Sequence, residues 1–319
     1  MSLPISMISI IGGIILLILG AEVLVRGAGS LAKKMSISEM VIGLTVVAFG
    51  TSAPELVVNT FAAAGGQNEI VFGNIIGSNM ANILLVLGIA GLISPLTILK
   101  NTVWKEIPFL LVATAAVFLL VHDGWFGVSA ANLLSRTDGL LLLGLFACFL
   151  AYTYSILRAK SPHRHVRTYA TWASVLLLVA GLAALFFGGR FTVNGAVAVA
   201  RQLGISEKMI AATIIALGTS LPELATSAVA AYRGRCELAV GNVVGSSIFN
   251  LLMVLGISGV IRPVSYSSSF DVDSLALVGA TVLLFVTMFM GKRHRLDRPE
   301  AALMLTGYAA YIGYLMYQR

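Results

Sequence analysis

Charge is scarce in this chain: only 11% of its 319 residues are Asp, Glu, Lys or Arg, whereas 58% are hydrophobic. An ordinary soluble domain carries about a quarter charged residues, so that class is excluded, and a mean hydropathy of +0.94 agrees. Cysteine is scarcer still. Cys148, inside an apolar run, and Cys236, in a polar break, cannot make a disulfide framework. His122, His163, His165 and His294 all fall in breaks between apolar runs. One lone cysteine and no histidine within an apolar run leave no thiolate or imidazole set for a soft transition metal.

What the chain has is length in apolar runs. A bilayer-crossing helix needs about 20 mostly apolar residues, and ten such stretches occur, near 5–25, 37–64, 71–93, 104–121, 137–158, 169–189, 206–232, 238–260, 273–291 and 300–318. The first has no basic leader and no small-residue cleavage site, so it reads as a retained helix rather than a signal peptide. The expected fold is all-α and polytopic, with ten transmembrane helices in a lipid bilayer. The net charge of +7 would fit nucleic-acid binding in a soluble protein. Its placement points elsewhere. Fifteen of the twenty-one basic residues, among them Arg26, Lys33, Lys34, Lys100, Arg158, Lys160, Arg233 and Arg235, follow odd-numbered stretches. The positive-inside rule then puts both termini outside the cytoplasm, with no nucleic-acid partner and no obligatory protein partner evident.

The sequence also repeats itself. GLTVVAFGTSAPEL at 43–56 matches AATIIALGTSLPEL at 211–224, and GNIIGSNMANILLVLGIAGLI at 73–93 matches GNVVGSSIFNLLMVLGISGVI at 241–261, both at an offset of 168. Each half holds five stretches, so the second enters the membrane from the opposite side. Inverted repeats of this kind are a transporter architecture, with the substrate site near the midplane. The division expected is a first five-helix repeat at 1–158, a basic cytoplasmic linker at 159–168, and a second, inverted repeat at 169–319.

Glu55 and Glu223 lie mid-stretch, where an uncompensated carboxylate is costly. No Lys or Arg lies at comparable depth in either repeat, so a bound cation is the natural counter-charge. Pro54 and Pro222 immediately precede the glutamates and break the helical hydrogen-bond ladder, releasing carbonyls about one turn upstream, near Gly50 and Thr51 and near Gly218 and Thr219. Carbonyls of broken helices are tolerated at this depth where a polar cavity satisfies them. The hydroxyls of Thr51, Ser52, Thr219 and Ser220 add hard oxygens. Asn74, Ser78 and Asn82, like Asn242, Ser246 and Asn250, recur every four residues and form one polar stripe per helix.

Carboxylate, amide, hydroxyl and carbonyl oxygens together suit a hard cation. Ca²⁺ accepts roughly six to eight oxygens in flexible geometry, whereas Mg²⁺ demands a strict octahedron. Two glutamates neutralise one Ca²⁺, and if Na⁺ competes for the same ligands the two fluxes are coupled, which is antiport. Protons should compete with either cation.

These residues resemble the cation/Ca²⁺ exchanger (sodium/calcium exchanger) family, whose two signature repeats carry G-T-S-x-P-E and G-N-x-x-G-S-x-x-x-N. The likeness covers both repeats and is greatest to short prokaryotic members without a regulatory domain. It implies a ten-helix fold, alternating access, a plasma (inner) membrane location, and Na⁺ gradients driving Ca²⁺ transport, with the ions as cargo and no cofactor. Carried over by motif position, it implies Thr51, Glu55, Thr219 and Glu223 for Ca²⁺. The Na⁺ set it implies is Ala48, Thr51, Ser52, Glu55, Ser78, Ala216, Thr219, Ser220, Glu223 and Ser246, the alanines acting through their carbonyls, with Asn82 and Asn250 lining the central position. Potassium-dependent members carry Asp where this chain has Asn250, which argues for the potassium-independent branch. A proton-coupled Ca²⁺ exchanger is the alternative within the class, and a cation channel the alternative outside it. An intramembrane enzyme fits poorly, because Ser52 and Ser220 have no His or Lys at depth to act as base.

Overall fold

Two long helices lead the two halves of the chain. In the computed structural model, which describes residues 3–98, 100–122, 132–157, 167–205, 216–290 and 294–318, α1 spans Leu3–Met35 and α7 spans Thr171–Gln202. They lie against each other in opposite directions, Gly13 beside Gly188 and Gly27 beside Leu178. A Cβ added at Gly188 would stand 2.8 Å from the Leu17 nitrogen and 2.9 Å from the Gly13 carbonyl oxygen, so the two backbones touch.

Both helices outrun the stretches expected at 5–25 and 169–189. Arg26, Lys33 and Lys34 are helical residues of α1 rather than members of a polar break, and Arg190 and Arg201 belong to α7. Hydropathy falls there, but the backbone ladder continues because the charges find partners. Arg26 pairs with Glu22 one turn back at 2.6 Å, and Lys34 reaches the Thr171 hydroxyl at 3.2 Å.

α2 (Glu39–Thr51), capped by the Ser38 side chain, and α3 (Ala53–Ala64) meet at Ser52 with a bend of 48°. α4 (Asn68–Ile93) is continuous through a π-helical turn at Ala81–Val86. Then come β1 (Leu96–Thr97), α5 (Thr102–Leu120), β2 (Leu133–Leu134) and α6 (Arg136–Ser155), the last opened by a reciprocal Ser135–Asp138 cap. Beyond α7, the short α8 (Ala216–Gly218) and α9 (Leu221–Tyr232) flank Ser220. α10 (Cys236–Ile261), β3 (Val264–Ser265), α11 (Ser268–Thr287), β4 (Arg295–Leu296) and α12 (Arg298–Gln318) complete the described chain.

The molecule is thus mostly helical. Among the described residues, seven helices are long and apolar enough to cross a bilayer, or eight if the bent α2–α3 pair is one span. The start of the seventh stretch and the linker expected at 159–168, apart from Arg167 and Thr168, lie outside the described residues, as do His163, His165 and Lys208.

The offset of 168 reappears in three dimensions. It carries α3 onto α9, α4 onto α10, and the π-helical turn at Ala81–Val86 onto that at Phe249–Val254. Gly66 and Gly234, at the turns between these helices, share a φ near +70°. β1 pairs antiparallel with β4 and β2 with β3, so each strand pair joins the two halves. In the most apolar window of α4 and of α10, 78% of the residues are buried, against 33% for α1 and α7. α4 and α10 therefore form the centre, and the polar stripes they carry are interior.

Candidate functional site

The site begins with a backbone interruption. Pro54 and Pro222 sit in the first turns of α3 and α9 and bring no N–H, which deprives the carbonyl four residues upstream of its helical partner. Ser52 and Ser220 leave the helical region, at φ −85°, ψ 6° and φ −85°, ψ 1°. The two breaks are not identical. The Ser52 N–H donates to the Ala48 carbonyl at 3.0 Å, whereas the Ser220 N–H turns to Leu217 at 3.1 Å instead of Ala216. Glu55 and Glu223 consequently stand in the first turns of new helices, where unpaired N–H groups and the helix dipole favour a carboxylate.

Around the breaks, the halves exchange hydrogen bonds. The Thr51 hydroxyl donates to Asn242 Oδ1 at 3.1 Å and lies 3.2 Å from the Ser246 hydroxyl. Its counterpart Thr219 donates to Asn74 Oδ1 at 3.4 Å and lies 3.4 Å from the Ser78 hydroxyl. Ser246 also approaches the Ala48 carbonyl at 3.5 Å. Ser52 donates to Glu223 Oε1 at 3.1 Å, across the two halves. The Thr219 and Ser78 hydroxyls interact with Glu55, and those of Thr51, Ser52 and Ser246 with Glu223.

Glu55, Glu223, Asn82 and Asn250 are completely buried. Yet both oxygens of Glu55, Oε2 of Glu223, Ser220 Oγ and both amide atoms of Asn82 and Asn250 lack a hydrogen-bond partner among the described residues. Buried polar groups are normally paired, and the few that are not call for an explanation. Three of the atoms named belong to the two carboxylates themselves, and most are acceptors. Asn82 and Asn250 occupy the π-helical turns of α4 and α10, a distortion often found at functional positions.

The structure thus brings together Ala48, Thr51, Ser52, Glu55, Ser78, Thr219, Ser220, Glu223 and Ser246 with Asn74 and Asn242. Ala216 begins α8, and Asn82 and Asn250 are buried without bonding to the other site residues. Sequence reasoning missed Asn59 and Ser227, four residues beyond each glutamate. Asn59 Nδ2 donates to the Val71 carbonyl at 3.1 Å and Ser227 Oγ to the Ala239 carbonyl at 3.3 Å. Asn74 Nδ2 donates to Asn59 Oδ1 at 2.6 Å, and Asn242 Nδ2 to Ser227 Oγ at 3.0 Å. The signal available was a polar side chain on the helix face of each glutamate at the same offset.

Comparison with known proteins decides the family. The sodium/calcium exchanger protein family matches residues 5–155 and 173–317. The chain belongs to it. It is 38% identical to CaxA of Alkalimonas amylolytica over 96% of both chains. It is 28% identical to the sodium/calcium exchanger MaX1 of Methanosarcina acetivorans over 96% of this chain and 97% of that one. The solved structure of the sodium-calcium exchanger NCX_Mj soaked with 10 mM Na⁺ superposes with a TM-score of 0.84 at 31% identity, covering 98% of this chain and 99% of its own. This exchanger is accordingly a multi-pass membrane protein and a cation/Ca²⁺ antiporter, a transporter and not an enzyme.

Proposed function

We propose that this exchanger moves Ca²⁺ against Na⁺ by alternating access, at one midplane site shared between its halves. The observation that carries the reading is the set of buried, partnerless oxygens on Glu55, Glu223, Ser220, Asn82 and Asn250. Two carboxylates balance one Ca²⁺, and the Thr51 and Thr219 hydroxyls complete its nearest shell. Ala48, Ser52, Ser78, Ala216, Ser220 and Ser246 supply oxygens that, with the same glutamates and threonines, hold Na⁺ when Ca²⁺ has left. Asn82 and Asn250 line the central position. A pocket that cannot be filled by both ions at once couples their movements without any further device.

The same reading takes the chain as ten membrane helices in two inverted repeats, 1–158 and 169–319, joined by the basic linker 159–168. The strand pairs support it: a shift of 168 turns β1, Leu96–Thr97, into β3, Val264–Ser265. β1 and β4 then belong to one face of the membrane and β2 and β3 to the other, as five helices per half require. The positive charge after odd-numbered stretches sets that face toward the cytoplasm of a plasma (inner) membrane, with both termini outside.

The test is Ca²⁺ uptake by proteoliposomes loaded with Na⁺ and diluted into Na⁺-free medium. Wild-type protein accumulates Ca²⁺ only with the outward Na⁺ gradient, and Glu55→Gln and Glu223→Gln abolish uptake. Uptake driven by an outward proton gradient and indifferent to Na⁺ would replace the coupling ion, and flux without any counter-gradient would make the protein a channel. Unimpaired glutamine variants would remove the site.

A further inference from the structure

Asn74 and Asn242 can leave the lone pairs of the Thr219 and Thr51 hydroxyls free for a cation only if each amide presents its oxygen, because an NH₂ end would donate to that hydroxyl and compete for them. We infer that Asn59 and Ser227 are positioning residues that fix this orientation, each relaying the polarity of a backbone carbonyl to a site amide. The inference rests on the exchange site proposed above and deepens it.

The relay starts from groups that cannot reverse. A backbone carbonyl only accepts. The Val71 carbonyl therefore draws the NH₂ of Asn59, at 3.1 Å, which leaves Asn59 Oδ1 facing Asn74. Asn74 must answer with its own NH₂, at 2.6 Å, and its Oδ1 is turned toward Thr219. In the second half the Ala239 carbonyl takes the single hydroxyl proton of Ser227, at 3.3 Å, leaving a lone pair for the NH₂ of Asn242 at 3.0 Å. Asn242 Oδ1 then faces Thr51. The remaining N–H of Asn242 leans on the Glu223 carbonyl at 3.5 Å. Asn59, Asn242 and Ser227 are completely buried, so no bulk solvent competes with these bonds.

The two halves use different side chains for one task. An amide and a hydroxyl each provide at least one donor and one acceptor, which is all the relay demands. That difference gives the test a conservative exchange written into the protein itself: Ser227→Asn copies the first half into the second, and Asn59→Ser does the reverse.

Na⁺-driven Ca²⁺ uptake is measured for purified, reconstituted Ser227→Ala, Ser227→Asn and Asn59→Ser over a range of Ca²⁺ concentrations. Ser227→Ala should raise the Ca²⁺ KM about tenfold, as expected for losing the bond that holds Asn242 in the orientation that serves the Thr51 ligand, with a smaller fall in maximal rate. Ser227→Asn should recover most of the affinity lost in Ser227→Ala, and Asn59→Ser should keep most of the wild-type affinity, because each side chain supplies both a donor and an acceptor. A wild-type KM in Ser227→Ala, or a Ser227→Asn protein as impaired as Ser227→Ala, would overturn the relay. Glu223→Gln run alongside separates the two readings: if it is inactive while Ser227→Ala keeps a wild-type KM, the relay alone falls. If Glu223→Gln transports normally, the exchange site falls and takes the relay with it.

Discussion

Ser52 Oγ donates to Glu223 Oε1 at 3.1 Å, while the hydroxyl of Ser220, its counterpart 168 residues on, makes no hydrogen bond to Glu55 or to any other described residue. The pocket is built from near-copies yet is not symmetric. One carboxylate is tethered to the opposite half by a hydroxyl and the other has hydroxyls near it without a bond. Under the exchange proposed above, the two glutamates would therefore enter ion binding from different starting points.

Ser52→Ala should weaken ion-free protein more than Ser220→Ala does. A hydrogen bond contributes about 0.5–1.5 kcal/mol net, and more where its acceptor is charged, and of the two serines only Ser52 makes one to a glutamate. Thermal unfolding of the two variants in detergent, in chelator without Na⁺, measures the difference. Equal melting temperatures would mean that the tether contributes nothing.

Ca²⁺ should stabilise wild-type protein and not Glu55→Gln. Binding to the folded state alone adds about 2.7 kcal/mol at a free ion concentration of 100 times Kd. The check is a melting-temperature titration with Ca²⁺, repeated with Na⁺ in competition, which should diminish the Ca²⁺ shift.

Pro54→Ala should leave the protein folded but poor at transport. The new N–H can donate to the Gly50 carbonyl, closing the ladder that the break at Ser52 opens, and the bend of 48° relaxes. Displacing one ligand oxygen by this route lowers Ca²⁺ affinity about tenfold, equivalent to roughly 1.4 kcal/mol. Uptake kinetics beside a gel-filtration profile show whether loss of affinity comes without loss of fold.

Gly188→Val should damage the fold itself. Its Cβ would meet the Leu17 nitrogen at 2.8 Å, where nothing but backbone can yield. Overpacking of this kind costs about 1–3 kcal/mol. A lower melting temperature with unchanged Ca²⁺ KM in the surviving protein is the expected outcome.

Cysteines at 97 and 265 should be reached from opposite sides of the membrane. Thr97 and Ser265 are exposed residues of β1 and β3, the strands related by the repeat offset. With Cys148 and Cys236 replaced, a membrane-impermeant thiol reagent applied to intact cells should label Ser265→Cys and spare Thr97→Cys. Labelling of both from one side would contradict the inverted arrangement.

Much of this was readable before any coordinates. The offset of 168 already paired Thr51 with Thr219, Glu55 with Glu223 and Asn74 with Asn242, and the prolines located the breaks. Helix ends were not readable, since hydropathy falls at Arg26 while the ladder continues to Met35 on the strength of ion pairs and backbone packing. The relay through Asn59 and Ser227 was obscured for a different reason. Their residue types differ, so an eye trained on matching letters passes over them, although each supplies the same donor and acceptor. The breaks at Ser52 and Ser220 share nearly the same dihedrals, yet one N–H reaches Ala48 and the other Leu217, a difference that near-identical motifs do not display.

The hydrogen bonds that close the pocket join residues 141, 145, 191 and 195 positions apart. During synthesis the first half therefore enters the bilayer with Glu55, Asn74 and Ser78 facing partners that have not yet been made. It must wait there as a bundle with an incomplete polar face, and long-range closure of this kind is slow. Neither half is a domain in the physical sense. Expressed separately, each should be degraded or aggregate, while the two expressed together should protect one another.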